Sequence, residues 1–176
     1  AVGLIPENEL TRGAGIPMDP ITNGASVDEN RETGVPGIFA CGNVLHVHDL
    51  VDFVSEEAGN AGRNAALYIH NNGEEEIPEE IKITLSPQNG VHYTVPSEIR
   101  IGHMAEEQLV RFRVGNVYKN CYIRAYLDGE RIFSRKKQVA APGEMEQIKL
   151  KKEQLLSILE GKQKQDKHEL VIQVEE

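Results

Sequence analysis

The chain has 176 residues, a formal net charge of -9, 27% charged residues, 5% aromatic residues and no Trp. The negative balance excludes non-specific nucleic-acid binding, which needs a basic face, and no apolar run approaches the roughly 20 residues of a membrane span. The length accommodates one domain or two small ones. Cys41 and Cys121 stand far apart in sequence; reduced, buried thiols in a cytoplasmic protein are the expectation, with a single disulfide as the other reading.

The chain opens on Ala1-Val2-Gly3-Leu4-Ile5-Pro6-Glu7-Asn8, read as the tail of a strand, a glycine and a proline-containing exit. No turn or cap precedes it and the first residue is not Met, so the sequence reads as a fragment or a processed chain. Leu10 to Asn23 carries Gly13, Gly15, Pro17 and Pro20 and predicts a loop. Ala25-Ser26-Val27-Asp28 predicts a short strand, and Glu29 to Thr33 a polar turn. Gly34, Pro36 and Gly37 then feed an apolar strand, Ile38-Phe39-Ala40-Cys41, which ends at Gly42 with Asn43 immediately after. A small residue at a strand end lets backbone approach a ligand closely, and α/β folds place ligand contacts just past the carboxyl ends of strands. Further on, Ser55 to Ala66 predicts a helix with a nearly bare face of Ala58, Ala61, Gly62, Ala65 and Ala66. A glycine inside a helix costs about 1 kcal/mol relative to Ala; close packing against a neighbour explains Gly59 and Gly62.

Thr33, Ile38, Phe39, Ala40, Gly42 and Asn43, with the helix that follows, resemble the second flavin-binding motif of the FAD-dependent pyridine nucleotide-disulfide oxidoreductase superfamily, which includes the thioredoxin reductase-like enzymes. Ala1, Gly3, Pro6 and Asn8 are similar, with one residue of offset, to the segment by which that family's pyridine-nucleotide domain returns the chain to its FAD domain. The resemblance covers about residues 1 to 70. It implies that 1–72 is the C-terminal segment of an FAD/NAD(P)-binding α/β domain, with FAD as cofactor and NAD(P) as electron partner. It further implies that the backbone at Gly42 approaches the flavin, that Asn43 hydrogen-bonds the ribityl chain, and that backbone groups around Asp52 and Phe53 face the flavin pyrimidine. Free N–H groups at a helix N-terminus suit the negative charge of reduced flavin. Where the family usually has Asp, Asn43 keeps an acceptor oxygen and loses the charge. The run Val51 to Gly62 is similar to the subgroup of flavoproteins found with glycerol-3-phosphate dehydrogenases and with opine or cyanide-forming oxidases. Partners would then be the remainder of the parent flavoprotein and other oxidoreductase subunits. The Gly-x-Gly-x-x-Gly turns for the cofactor phosphates and a redox Cys-x-x-Cys are missing from the sequence, so the fragment is expected to be inactive alone and no catalytic residue is nominated.

His46-x-His48-Asp49 invites a metal reading. On an extended segment side chains at i and i+2 point to opposite faces, so no metal is expected; the pair reads as surface histidines or, by the resemblance, as neighbours of flavin or substrate. Asp49 or Asp52 is the expected cap of the next helix, with Glu56 and Glu57 in its first turn, and His70-Asn71-Asn72-Gly73 ends it. The stretch 73–80 is acidic, contains Pro78, and reads as a linker between domains.

From Ile81 the pattern has period two. Ile81, Ile83 and Leu85 alternate with polar residues. Leu109 to Val114 alternates with Arg111 and Arg113 on the outer face. Cys121 to Leu127 runs through Asp128-Gly129 into Glu130 to Arg135, a hairpin signature. Met145 to Leu150 and Glu169 to Val174 complete six strands, Lys152 to Leu159 is helical, and Gly161 to Lys167 is a polar loop. Residues 81–176 therefore predict an all-β, antiparallel, immunoglobulin-like sandwich without the Cys…Trp…Cys core of antibody domains. Arg131, Arg135, Lys136 and Lys137 form a basic cluster, either a solvated strand edge or a dock for an acidic partner. Because this region carries no catalytic constellation, the alternative function is a non-catalytic interaction module for subunit or partner docking.

Overall fold

A computed structural model of the chain describes residues 6–71, 73, 81–160 and 167–176. The chain divides into two compact units, Ala1–Pro78 and Glu79–Glu176. Ala1, Gly3, most of the stretch read as a linker and most of the polar loop at 161–167 lie outside the described residues. Among the described residues no helix is long and apolar enough to cross a membrane.

The first unit is built from turns around one long helix. Helix α1 (Glu9–Gly13) forms where the glycines and prolines of Leu10–Asn23 suggest loop throughout. Its first glycine comes only at its last residue, and Asn8 Oδ1 accepts from Thr11 Oγ at 2.9 Å to hold the opening turn. The strands expected at Ala25–Asp28 and Ile38–Cys41 reduce to single bridges, Met18 to Ala25, Val27 to Thr33 and Glu32 to Phe39. A parallel strand needs neighbours with registered hydrogen bonds, and among the described residues Ile38–Cys41 pairs with the turn around Thr33: Thr33 N donates to Ile38 O and Ala40 N to Arg31 O.

A short 3-10 turn, Gly42–Val44, leads to helix α2 (Val51–His70). Neither Asp49 nor Asp52 caps it. The N-cap is Leu50, without a side-chain bond, and Asp52 sits inside the first turn, where its charge suits the helix dipole. Phe53, Glu57, Ala61, Asn64 and Tyr68 recur at helical spacing and form the covered stripe. The small-residue face packs only in part: Ala61 is buried and Ala65 half-buried, whereas Ala58, Gly62 and Ala66 are exposed, and a Cβ built on Gly62 would meet nothing within 4 Å. The helix closes as expected, with Gly73 N donating to Tyr68 O.

The second unit is largely β, with two sheets sharing one core. Five strands are ordered β3 (Glu98–Arg100), β1 (Lys82–Gln88), β8 (His168–Glu175), β5 (Tyr118–Leu127) and β6 (Glu130–Ala140); three are ordered β2 (Val91–Val95), β4 (Glu107–Val114) and β7 (Glu146–Lys151). Helix α3 (Lys152–Leu159) joins β7 to β8 and buries Leu155 and Leu159. Alternating residues from both sheets, among them Ile83, Val110, Phe112, Ile123, Ile148 and Ile172, meet in a single apolar cluster, the consequence of period-two patterning on sheets with one buried face.

Three sequence expectations change here. The strand pairing is not wholly antiparallel, because β1 and β8 pair in parallel. Strands β2 and β3 are additional; β2 is reached from β1 through an Asn89-Gly90 turn that the alternation alone does not reveal, and β3 follows after Pro96-Ser97. Arg111 lies on the face opposite core residues Val110 and Phe112, as expected, but it is covered there and only 1% exposed; β4 is the central strand of its sheet, paired with both β2 and β7. Strand β6 is a sheet edge, and two members of its basic cluster are engaged there: Arg135 Nη2 and Lys137 Nζ lie 2.8 and 2.7 Å from the carboxylate of buried Glu146.

The hairpin between β5 and β6 forms at Asp128 (φ 48°) and Gly129 (φ 85°), the two positive values of a type I′ turn. Asp128 has a second role. Its Oδ2 lies 2.7 Å from His168 Nδ1 and its Oδ1 accepts from Glu169 N at 2.9 Å, which fastens the turn to the start of β8. Replacing Asp128→Ala should lower the stability of the second unit by about 2–3 kcal/mol, the scale for hydrogen bonds to a charged acceptor plus a turn preference. Urea unfolding followed by tyrosine fluorescence reads this directly; a loss below about 0.5 kcal/mol, the lower limit for one hydrogen bond, would contradict the role.

Candidate functional site

The polar residues of the first unit converge on one carboxylate. Glu57 is fully buried on the covered stripe of α2. Oε1 accepts from Arg31 Nε at 3.1 Å and lies 3.4 Å from His46 Nε2; Oε2 accepts from Gly42 N at 2.9 Å and lies 3.0 Å from His48 Nε2. Each donor is delivered by local geometry. Asp28 Oδ1 accepts from Asn30 N and Glu32 N, forming a tight turn that holds Arg31 at φ 69°. The chain leaves the extended Cys41 through Gly42 at φ 74°, a conformation glycine adopts without a Cβ penalty, and this turns the Gly42 N–H toward α2. Leu45 N and His46 N return to Gly42 O, and His48 N donates to Asn43 Oδ1 at 3.1 Å. The result is a closed turn, not an extended segment.

That turn overturns the opposite-face expectation for the histidines. His46 and His48 present their rings edge to face at 4.3 Å, both directed at Glu57, and both are buried rather than on the surface.

An ionised carboxylate only accepts, so the Nε2 atoms of both histidines carry hydrogen. Burial pushes the Glu57 carboxyl up, but the hydrogen bonds from His46 and His48 and the Arg31 charge overcome it and hold the group well below the usual carboxylate range. Burial lowers His46, against the pull of Glu57, and so favours the neutral imidazole. Burial and then the Glu57 charge raise the Cys41 thiol, which opposes thiolate formation. Cys41 and Cys121 are both free.

The ligand atoms of His46, His48 and Glu57 lie within 4.8 Å of one another, and two imidazoles with a carboxylate can bind zinc. Arg31 argues against that use. Its guanidinium already bonds Oε1 and balances the carboxylate charge; a divalent ion would add two positive charges beside a buried cation and displace the imidazole hydrogens from Glu57.

The residues expected at a flavin fall around this cluster. Gly42 is buried and gives its N–H to Glu57; a Cβ there would meet Val54 Cγ1 at 3.4 Å, which places the turn against the first turns of α2. Asn43 is half-buried and braces the turn through His48. Asp52 is exposed in the first turn of α2, and Phe53 is half-buried with its N–H directed to Leu50 O at 3.2 Å. Asn8 is buried and donates to Asn23 O and Val44 O, tying the start of the unit to the same turn. Sequence reasoning gave Arg31 no role and gave Glu57 only a place near the helix start. The available signal was a carboxylate at position 57 on the stripe that also carries Phe53, Ala61 and Tyr68. Comparison with known proteins adds nothing to this geometry: no family model, no curated protein and no solved structure matches the chain.

The cluster predicts how stability follows pH. Folding holds Glu57 ionised and disfavours protonated His46, so in both windows the unfolded chain binds more protons. Stability of the first unit should fall as pH drops through the ordinary imidazole value of 6.5, and again below the ordinary carboxylate value of 4.5. The urea midpoint of the helical circular dichroism signal, compared across pH, should fall on acidification; a rise contradicts the cluster as described. Equimolar zinc should leave that midpoint unchanged at neutral pH, whereas an increase would show a cation entering between the histidines and Glu57.

Proposed function

We propose that the first unit is the flavin-facing segment of an FAD-dependent oxidoreductase of the pyridine nucleotide-disulfide type, and that the chain is the C-terminal part of such an enzyme. The intact protein would pass electrons between NAD(P)H and a substrate or partner subunit through FAD, which supplies the hydride and electron chemistry. The observation that carries this reading is the Gly42–Asn43 turn, fixed on Glu57 and lying against the first turns of α2, whose N-terminal residues Leu50, Val51 and Asp52 are exposed. An open helix N-terminus beside a glycine turn suits the electron-rich pyrimidine edge of a flavin. Asn43 Oδ1 already accepts from His48 N, so the amide Nδ2 is the donor it offers a ribityl hydroxyl, a donor that Asp would lack. The exposed part of the small-residue face of α2, with Leu67 and Ile69 exposed near its end, is surface that the remainder of the parent would cover. Phosphate binding falls to that remainder. Free Cys41 and Cys121 fit a cytoplasmic setting.

The second unit reads as an immunoglobulin-like sandwich, supported by two sheets around one core and distinguished by its parallel β1–β8 pair. Its exposed β6 edge, with Arg131 and Lys136, favours a docking role toward an acidic partner subunit rather than a chemical one.

The parent flavoprotein should show the visible absorption of bound flavin when purified, and Asn43→Leu should weaken its FAD affinity at least about tenfold, the equivalent of one lost hydrogen bond at roughly 1.4 kcal/mol. A parent without flavin absorption that takes up no FAD on reconstitution overturns the proposal. Deleting residues 81–176 should leave bound flavin in place and abolish subunit assembly; unchanged assembly removes the docking reading.

A further inference from the structure

We infer that Glu57 is the positioning residue for the flavin-contacting turn, and that its two carboxylate oxygens divide the work. The inference rests on the flavin reading above and names the group that sets the site's geometry. Three groups that converge on Glu57 come from the turn itself: the Gly42 N–H, His46 Nε2 and His48 Nε2. Oε2 meets the Gly42 N–H and His48 Nε2, both of the turn, whereas Oε1 meets Arg31 as well as His46. The bonds from Leu45 N and His46 N to Gly42 O, and from His48 N to Asn43 Oδ1, close the turn on itself and do not reach α2. Glu57 thus joins the turn to a helix of 20 residues whose first turn presents Asp52 and Phe53. It fixes where the Gly42 backbone and the Asn43 amide stand relative to the helix N-terminus. Arg31 acts differently. Its guanidinium neutralises the carboxylate through Oε1 and leaves the Oε2 bonds to the turn in place.

Two substitutions separate positioning from simple stabilisation. Glu57→Met keeps the side-chain length and removes every acceptor; Arg31→Met removes the balancing charge and leaves the turn donors their acceptor. Both should lower thermal stability, because each breaks a buried ion pair. The discriminating readouts are amide hydrogen exchange across Gly42–His48 in the chain and the FAD dissociation constant of the parent enzyme. For Glu57→Met, exchange in that segment should quicken at least tenfold and the FAD constant should rise at least tenfold. For Arg31→Met, both should stay within threefold of the unaltered protein. If Glu57→Met does not fold, Glu57→Gln, which keeps one acceptor oxygen, should shift both readouts in the same direction by at least threefold. Equal effects of the Arg31 and Glu57 substitutions, or none from either Glu57 substitution, overturn the inference. An unaltered parent that binds no FAD overturns the flavin reading separately, and the exchange pattern still decides whether Glu57 positions the turn.

Discussion

A carboxylate taken out of water loses several hydrogen bonds and must recover them from fixed donors, or it will not remain charged. Glu57 recovers them from a guanidinium, a backbone N–H and two imidazoles. Everything local to the site follows from meeting that demand. Arg31 must adopt a left-handed backbone conformation to reach it. Gly42 must turn its N–H inward. His46 and His48 must face the same way, which requires a turn in place of a strand. The most restrictive requirement of the first unit is electrostatic, and the loops between Asp28 and Leu50 are shaped by it.

The two units are held by different forces. In the first, among the described residues, the buried apolar side chains are small in number and size, Ile16, Ala25, Val27, Leu45 and Ala61, while Asn8, Asp28, Glu29, Arg31, Thr33, His46, His48 and Glu57 are buried with them. Its order depends on hydrogen bonds among buried polar groups, a condition in which one lost partner strands another. The second unit is held by aliphatic and aromatic side chains from both sheets, where loss of one contact leaves a cavity but no orphaned charge. The first unit is ordered by polar bonds that fix its backbone at defined positions; the second is ordered by an apolar core between two sheets.

Period-two alternation located most strands of the second unit, because a sheet with one wet face writes its burial directly into sequence. Asp128-Gly129 was equally legible, since the turn type dictates the residues. The parallel pairing of β1 with β8 was not, because local alternation carries no information about which distant strand lies alongside. The burial of Arg111 was hidden for a related reason: a central strand can be covered on both faces, and its sequence still alternates. In the first unit Gly42 and Asn43 were visible as a motif, and α2 as a helix. The cluster beneath them was not, because Arg31, His46, His48 and Glu57 belong to three separate segments and come together only through positive-φ turns that spacing does not announce. The expectation that small residues on α2 mark close packing failed for Ala58, Gly62 and Ala66, which this chain leaves exposed.

The central claim is that an ionised Glu57 organises the turn by accepting from both imidazoles. Isotope-edited NMR of the histidine rings and the Glu57 carboxyl in this chain tests it most directly. At neutral pH the Nε2 atoms of His46 and His48 should both carry hydrogen, each coupled across its bond to Glu57, and the Glu57 carboxyl should remain ionised at pH values where an ordinary carboxyl, near 4.5, has taken up its proton. Nε2 atoms without hydrogen, or a Glu57 that titrates with the ordinary carboxyls, would contradict it.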